Sequence, residues 1–295
     1  MRSIFDITRD GLSAINTAAD QLAKLQDQLA TGRALRVPSD DPAATARAIG
    51  EHAELSTIAA YTQSADAAAA RQAAADSIMS DMIDKLTAAL TTATSAAGTT
   101  ATPATRDAAA AQLKGLREAL AGDINSKFQG SYFFSGSKTD QAAYVLVGST
   151  WTYQGDSSEV LTSIDSGRQV NQSWDGQSIL QGSAPQDVLT VIDNLTAAVQ
   201  AGDNAGITAG IAALQDAFKR ATAAQSRLGA DEQSVTDAQG RLSDLRLATD
   251  TRRSKDEDVN MADAAARMNQ AQVAYRAAIG AVSMSNQASL IDYLK

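Results

Sequence analysis

From Ile15 the apolar residues fall at Ile15, Leu22, Leu25 and Leu29, with Ala18 in the gap, so steps of three and four repeat over seven residues. That spacing draws one narrow stripe along a helix, and Gly32 and Pro38 end it. A second periodic run follows Pro42 through Ile49, Leu55, Ile58, an alanine-rich stretch, Ile78, Met82, Leu86 and Leu90 to Gly98. No proline or glycine interrupts residues 51–97. A helix from Pro42 to Ala97 would be roughly 80 Å long at about 1.5 Å per residue, a rod rather than a globule.

The segment "GTTATPATRD" (98–107) is turn chemistry, with Thr102 as N-cap and Pro103 at the first helical position of a helix carrying Leu113, Leu116, Leu120, Ile124 and Phe128. From residue 131 the pattern changes to glycine, aromatics and β-branched residues. "YVLVGSTWTYQG" reads as two strands about a Gly148-Ser149 turn, and "SEVLTSID" with "RQVNQSW" as two more about Ser166-Gly167. Helix returns near Pro185. Beyond it Ile207, Leu214, Ala221, Leu228, Val235 and Leu242 step by seven, with Ile211, Phe218 and Gln225 interleaved, which is a coiled-coil or long-bundle signature. The mixed charge of "TDTRRSKDEDVN" (249–260) is expected to break that seam. A last helix places Met261, Met268, Tyr275 and Val282 seven apart with Ala264, Ala271 and Ala278 between them, and closes on Leu290 and Leu294.

Composition sharpens this picture. Of 295 residues 44% are hydrophobic but only 4% aromatic, so the apolar content is mostly small side chains, suited to thin helix seams. A net charge of -9 without a dense basic cluster argues against nucleic acid as a partner. The absence of cysteine excludes disulfides, thiolate chemistry and cysteine-held metals, and suits a protein that works outside the cell without a disulfide framework. No apolar run reaches the roughly 20 residues of a membrane span, and the N-terminal residues lack the apolar core of a secretory signal. Export, on this reading, uses no cleaved leader.

Candidate chemistry is sparse. The single histidine, His52, cannot build a multi-histidine metal site and reads as a surface residue. No phosphate-binding loop or dinucleotide fingerprint appears, and no cofactor is expected. Asp40 and Asp41 could be weighed as a paired acid and base. Sequence neighbours do not readily converge across a pocket, though, and Pro42 pre-sets Asp41 as the N-cap of the long helix. Pro38 and Pro42 thus make "VPSDDP" a stiff connector. Arg33, Arg36, Asp40 and Asp41 form a compact charged segment, readable either as a solvated loop or as a polar contact to a neighbouring subunit. The stripes at the two chain ends would be adhesive if exposed, so they pair with each other, with copies of the chain or with another protein. Trp151, Tyr153 and Trp174 also allow a reading as a secreted glycan-active enzyme, although they suit the core of the β region better.

"LQDQLATGRALRVPSDDPAATARAI" (25–49) resembles the N-terminal signature of the bacterial hook-filament junction proteins, the hook-associated protein 3 family, relatives of flagellin. "MNQAQVAYRAAIGAVSMSNQASLIDYL" (268–294) is similar to the closing helix of that family, and "YFFSGS" (132–137), "YQGD" (153–156) and "WDGQSIL" (174–180) to its inserted β domain. Flagellin itself, the bulk filament subunit, is the nearest alternative, but "VPSDDPAA" and the "SLIDYL" ending favour the junction family. The resemblance implies a mainly α, flagellin-like fold. This is an elongated long-helix coiled-coil bundle with paired terminal helices and a small inserted β domain. Its parts would be an axial helix and connector (1–40), a helical rod (41–130 and 185–258), the β domain (131–184) and a C-terminal axial helix (259–295). It implies a non-enzymatic subunit, exported without cleavage by the flagellar type III apparatus with a chaperone. That subunit would form a ring with copies of itself between hook-associated protein 1 and flagellin. The assembly residues would be Ile15, Leu22, Leu25, Leu29, Met261, Met268, Tyr275, Val282, Leu290 and Leu294, with Arg33, Arg36, Pro38, Asp40, Asp41 and Pro42 as connector and cap.

Overall fold

The computed structural model describes residues 4–98, 102–148 and 150–293. Leu294 and Ser149 lie outside the described residues, as does the side chain of Leu290. The fold is mainly α. In chain order, three helices, α1 (Ile4–Thr31), α2 (Pro42–Ala96) and α3 (Pro103–Ile124), precede three hairpins. These are β1 (Lys127–Phe128) with β2 (Ser131–Tyr132), β3 (Tyr144–Val147) with β4 (Thr150–Tyr153), and β5 (Leu161–Asp165) with β6 (Arg168–Asn171), all antiparallel. Then come the short α4 (Gly176–Leu180) and three more helices, α5 (Val188–Ala201), α6 (Asn204–Glu257) and α7 (Met261–Tyr293).

The chain forms two compact units, one of residues up to Thr57 together with those from Leu245, the other Ile58–Asp244. In the second unit the seven-residue stripe of α6 is the core seam. Ile207, Leu214, Ala221, Leu228, Val235 and Leu242 are all buried, and each large member contributes about 1.5–3 kcal/mol by leaving water. The first four share one cluster of buried side chains with Met79, Met82 and Leu86 of α2, Leu113, Leu120 and Ile124 of α3, and Val188, Leu189, Ile192 and Leu195 of α5, while Val235 and Leu242 share a second with Ile58, Ala65 and Ala68 of α2 and Ile164 and Val170 of the hairpin β5–β6. Polar bonds set the register beside this seam: Gln225 Nε2 donates to Asp76 Oδ1 at 3.1 Å and Gln239 Nε2 to Asp66 Oδ1 at 2.7 Å, so α2 and α6 run antiparallel.

Local signals explain the boundaries. Thr102 caps α3, with Pro103 in its first turn, and Asp187 caps α5 by accepting from Thr190 N at 3.0 Å. Gly202, at φ 69°, ends α5 in the left-handed conformation that glycine adopts without steric cost. The segment after β2 contributes Phe133 and Phe134, and β3 contributes Tyr144, to the same buried cluster as α3 and α5, with Trp151, Tyr153 and Trp174 packed at its edge. Arg71 of α2 fastens them from beneath. It is buried, donates through Nε to the Gln172 carbonyl and through Nη2 to the Tyr132 carbonyl at 3.2 Å, and lies 4.8 Å from the Phe133 ring centroid. Burial pushes its pKa down, though guanidinium stays charged.

Two expectations fail. Phe128 does not continue the helix of Leu113 to Ile124, because Asn125 caps α3 and Phe128 lies in β1. The charged stretch from Thr249 does not interrupt the helix, because α6 continues to Glu257. Its charges sit at helical spacing, Arg253 bridging Asp250 at 2.9 Å and Glu257 at 3.1 Å, and so support the helix rather than break it. The interruption is confined to Asp258–Asn260, where Asn260 Oδ1 accepts from Ala262 N and Asp263 N to start α7.

Candidate assembly site

Two chain crossings meet in the first unit, from α1 into α2 and from α6 into α7. Gly32, at φ 72°, closes α1 by donating its N–H to the Gln28 carbonyl at 2.9 Å. The next residues then pair with the other crossing. Ala34 N donates to the Glu257 carbonyl at 2.7 Å and Val259 N to the Gly32 carbonyl at 2.9 Å, a one-residue antiparallel bridge between Arg33 and Asp258. Both connectors are thereby tied backbone to backbone.

The adjacent aspartates turn in opposite directions. Asp40 faces back toward α1: its Oδ1 accepts from Lys24 Nζ at 2.7 Å and its Oδ2 from Arg36 N and Val37 N, both at 3.2 Å. The Lys24 hydrogen bond foremost, then the two amides, hold the Asp40 carboxyl below the usual carboxylate range. Asp41 faces forward, its Oδ1 accepting from Ala43 N at 3.0 Å and Ala44 N at 2.9 Å at the free end of α2, where Pro42 occupies the first helical position. Arg36 crosses to Asp27 at 3.1 Å. The Arg33 side chain and Pro38 are exposed. Carboxylates that diverge in this way do not form an acid/base pair.

Charged side chains behind the bridge link α2 to α6. Arg47 makes a two-toothed pair with Asp256 at 2.9 and 2.8 Å, and Arg252 reaches Glu54 at 2.9 Å. His52 Nε2 lies 2.7 Å from Glu257 Oε1. The Arg47 hydrogen bonds lower the Asp256 pKa, and Asp256 in turn raises that of Arg47. Arg252 and Asp256 lie in the charged stretch 249–260, but nothing in the sequence ties them to Glu54 and Arg47. Helical spacing gives each a face, but only the antiparallel register reveals partners about 200 residues away, such as Arg47 and Asp256, which are 209 positions apart.

The terminal stripes belong to a second feature of the same unit. α1 packs antiparallel on α7, with Gly11 opposite Val282 and the Gln21–Gln28 turns opposite Arg267–Ala274. Ile15, Leu22, Leu25 and Leu29 are half-buried, as are Met268, Tyr275 and Val282, while Ala264 and Ala271 are buried between them. Met261 is exposed. A groove of about 380 Å³ runs between α1 and the connector, lined among others by Asp20, Ala23, Asp27, Ala34 and Val37. Among the described residues no cluster of side chains suited to a metal ion occurs, and no helix is long and apolar enough to cross a membrane.

Comparison with known proteins gives a consistent result. Residues 8–139 match the bacterial flagellin N-terminal helical region and residues 211–294 the bacterial flagellin C-terminal helical region. The intervening residues include β3 to β6. The flagellar hook-associated protein 3 of Salmonella typhimurium is 26% identical over 158 residues, 53% of this chain and 49% of that protein, so the chain spans about half the length of that relative. Several solved structures share the fold, of which two serve as examples. One, described as a flagellar hook-associated protein from Vibrio parahaemolyticus, has a TM-score of 0.71 at 22% identity over 74% of this chain and 100% of that one. The other, the flagellar hook-associated protein 3 of Legionella pneumophila, has a TM-score of 0.64 at 14% identity over 70% of this chain and 97% of that one.

Proposed function

We propose that this chain, which belongs to the flagellin family, is the adaptor subunit that joins the flagellar hook to the flagellin filament. The family is structural and not enzymatic. The observation that carries the reading is the terminal helix pair. Although α1 and α7 pack on each other, Leu12 stays 58% exposed, Val273 67% and Met284 72%. A helix pair with so much uncovered apolar surface is built to be covered by other subunits.

In this reading residues 1–40 and 259–295 line the axis of the assembly, 41–130 and 185–258 form its helical middle, and 131–184 face outward. The stripe residues Ile15, Leu22, Leu25, Leu29, Met268, Tyr275 and Val282, with Met261, Leu290 and Leu294, make the axial contacts. The ring partners are copies of the chain, with hook-associated protein 1 on one side and flagellin on the other, after export by the type III apparatus with a chaperone. Likeness to hook-associated protein 3 favours the junction over the bulk filament.

Deleting the chain is expected to leave hooks that release flagellin monomer into the medium, and tagged protein is expected only at the hook-filament boundary. Normal filaments in the deletion strain would overturn the proposal. Label along the whole filament would identify the chain as flagellin instead.

A further inference from the structure

The facing sides of α2 and α6 are built on the same seven-residue count. On α2 Ala65, Gln72, Met79, Leu86 and Ala93 follow one another by seven and are all buried. On α6 Ala217, Ala224, Asp231 and Ala238 do the same, the outer two buried and the inner two half-buried. Each row is interrupted by a polar residue, and the two interruptions coincide. The bonds of Gln225 with Asp76 and of Gln239 with Asp66 bracket them, and midway between those bonds in the antiparallel register Gln72 stands level with Asp231.

The core divides at this layer. One cluster of buried side chains ends at Ala75 on α2 and Leu228 on α6, and the other begins at Ala68 and Val235. Between them Gln72 is 0% exposed, with neither Oε1 nor Nε2 hydrogen-bonded among the described residues. Asp231 makes no ion pair or side-chain hydrogen bond among the described residues either, and burial first, then Glu159, raises its carboxyl above the usual carboxylate range. Glu232 beside it is raised by burial and then by Asp76. Arg71, one position before Gln72, is committed to the Gln172 and Tyr132 carbonyls. An unpaired buried amide and a half-buried unpaired carboxylate oppose closure of the seam at this level, whereas the apolar layers on either side favour it.

We infer that the Gln72–Asp231 layer is a built-in break, at which residues 58–69 and 235–242 with the β5–β6 hairpin open on their own while α3, α5 and the helix stretches packed on them stay closed. The opening segment is held lightly. Its cluster is small and includes Ala65, Ala68 and Ala238, whereas the larger one holds Met82, Phe133, Phe134 and Tyr144, so less apolar area keeps it shut. Its hairpin is tied to α6 by the Arg241–Asp165 pair at 3.1 Å, which is partly exposed and contributes little. A polar layer in a helix seam trades stability for definition, and cooperative units of a fold part where contacts are weakest. The inference concerns the chain by itself and does not rest on the junction reading.

Hydrogen exchange of the full-length chain in rising, sub-denaturing urea separates openings by the surface each exposes. Amides of 58–69, 161–171 and 235–242 are expected to share one small opening, and those of 113–124 and 188–199 a larger one. Gln72→Leu with Asp231→Ala, which continues both apolar rows, is expected to slow the first group about tenfold or more and to merge it with the second. Asp231→Asn, which removes the charge and keeps the shape, is expected to slow it by a smaller factor. The exposed pair Gln63→Leu with Gln233→Ala is expected to change neither opening. One common opening in the unaltered chain would overturn the break. So would first-group rates in Asp231→Asn equal to those of the unaltered chain, a comparison that holds even where the double variant repacks.

Discussion

Gly11 brings α1 so close to α7 that a methyl group added at its Cα would lie 2.7 Å from Cγ2 of Val282. The two effects of Gly11→Ala therefore oppose each other. Alanine favours helix over glycine by about 1 kcal/mol, but overpacking against a stiff β-branched side chain costs about 1–3 kcal/mol. Loss wins: Gly11→Ala is expected to lower amide protection along α1, and Gly11→Ala with Val282→Ala to recover it. Unchanged protection in the single variant would show that the helices are not seated this closely.

Glu257 supplies a pH test. Burial raises its pKa, but hydrogen bonds from His52 and Arg253 outweigh that and leave the carboxyl below the usual glutamate range. A carboxyl depressed by folding contributes fully above its unfolded pKa, and that contribution is lost as pH falls through the lowered folded value. Acid should therefore loosen the α2–α6 link of the first unit. Glu257→Gln should flatten that acid response and cost about 1 kcal/mol at neutral pH, the discount reflecting the solvent-exposed His52. Exchange rates of the amides in residues 47–57 against pH give the comparison.

Arg71 is a buried cation whose partners are carbonyl oxygens and aromatic faces. Arg71→Ala leaves the Gln172 and Tyr132 carbonyls without their donor and is expected to cost roughly 2–4 kcal/mol. Arg71→Lys recovers only part, because an ammonium cannot fork to both oxygens. Chemical denaturation followed by tryptophan fluorescence reads this directly, since Trp174 packs 6.2 Å from Phe133.

Position within α6 separates seam from surface. Leu214→Ala empties a fully buried site and is expected to cost about 2–5 kcal/mol. Leu247→Ala, at a position 70% exposed, is expected to change stability by less than about 0.5 kcal/mol. Similar midpoints for the two variants in urea would contradict the buried seam.

At the start of α2, Asp41→Ala removes the acceptor for Ala43 N and Ala44 N and is expected to cost about 1 kcal/mol, with Asp41→Asn close to neutral. Asp40→Ala instead frees Lys24 and the Arg36 amide. Its effect should appear as faster exchange at residues 36–37 rather than at the first turn of α2.

Much of the helical framework is a local property. The seven-residue stripe of α6 names its own buried face, because a side chain's direction on a helix depends only on its count along the chain. Thr102 and Pro103 start α3 for equally local reasons, and glycine at 148 and 167 turns the two larger hairpins. Other local signals were overridden or too short to read. The charges after Thr249 look like a break until their three- and four-residue pairing on the helix is seen, and β1 with β2 rests on two residues each. Long-range relations lie outside any such count. That Arg47 meets Asp256, that Gly32 bonds Val259, and that Ala34 and Val37 complete a groove on α1 all depend on antiparallel register and on how two connectors lie together. Periodicity acts over a few residues and states which faces are apolar, whereas the choice of partner for each face is made by packing between segments far apart in the chain.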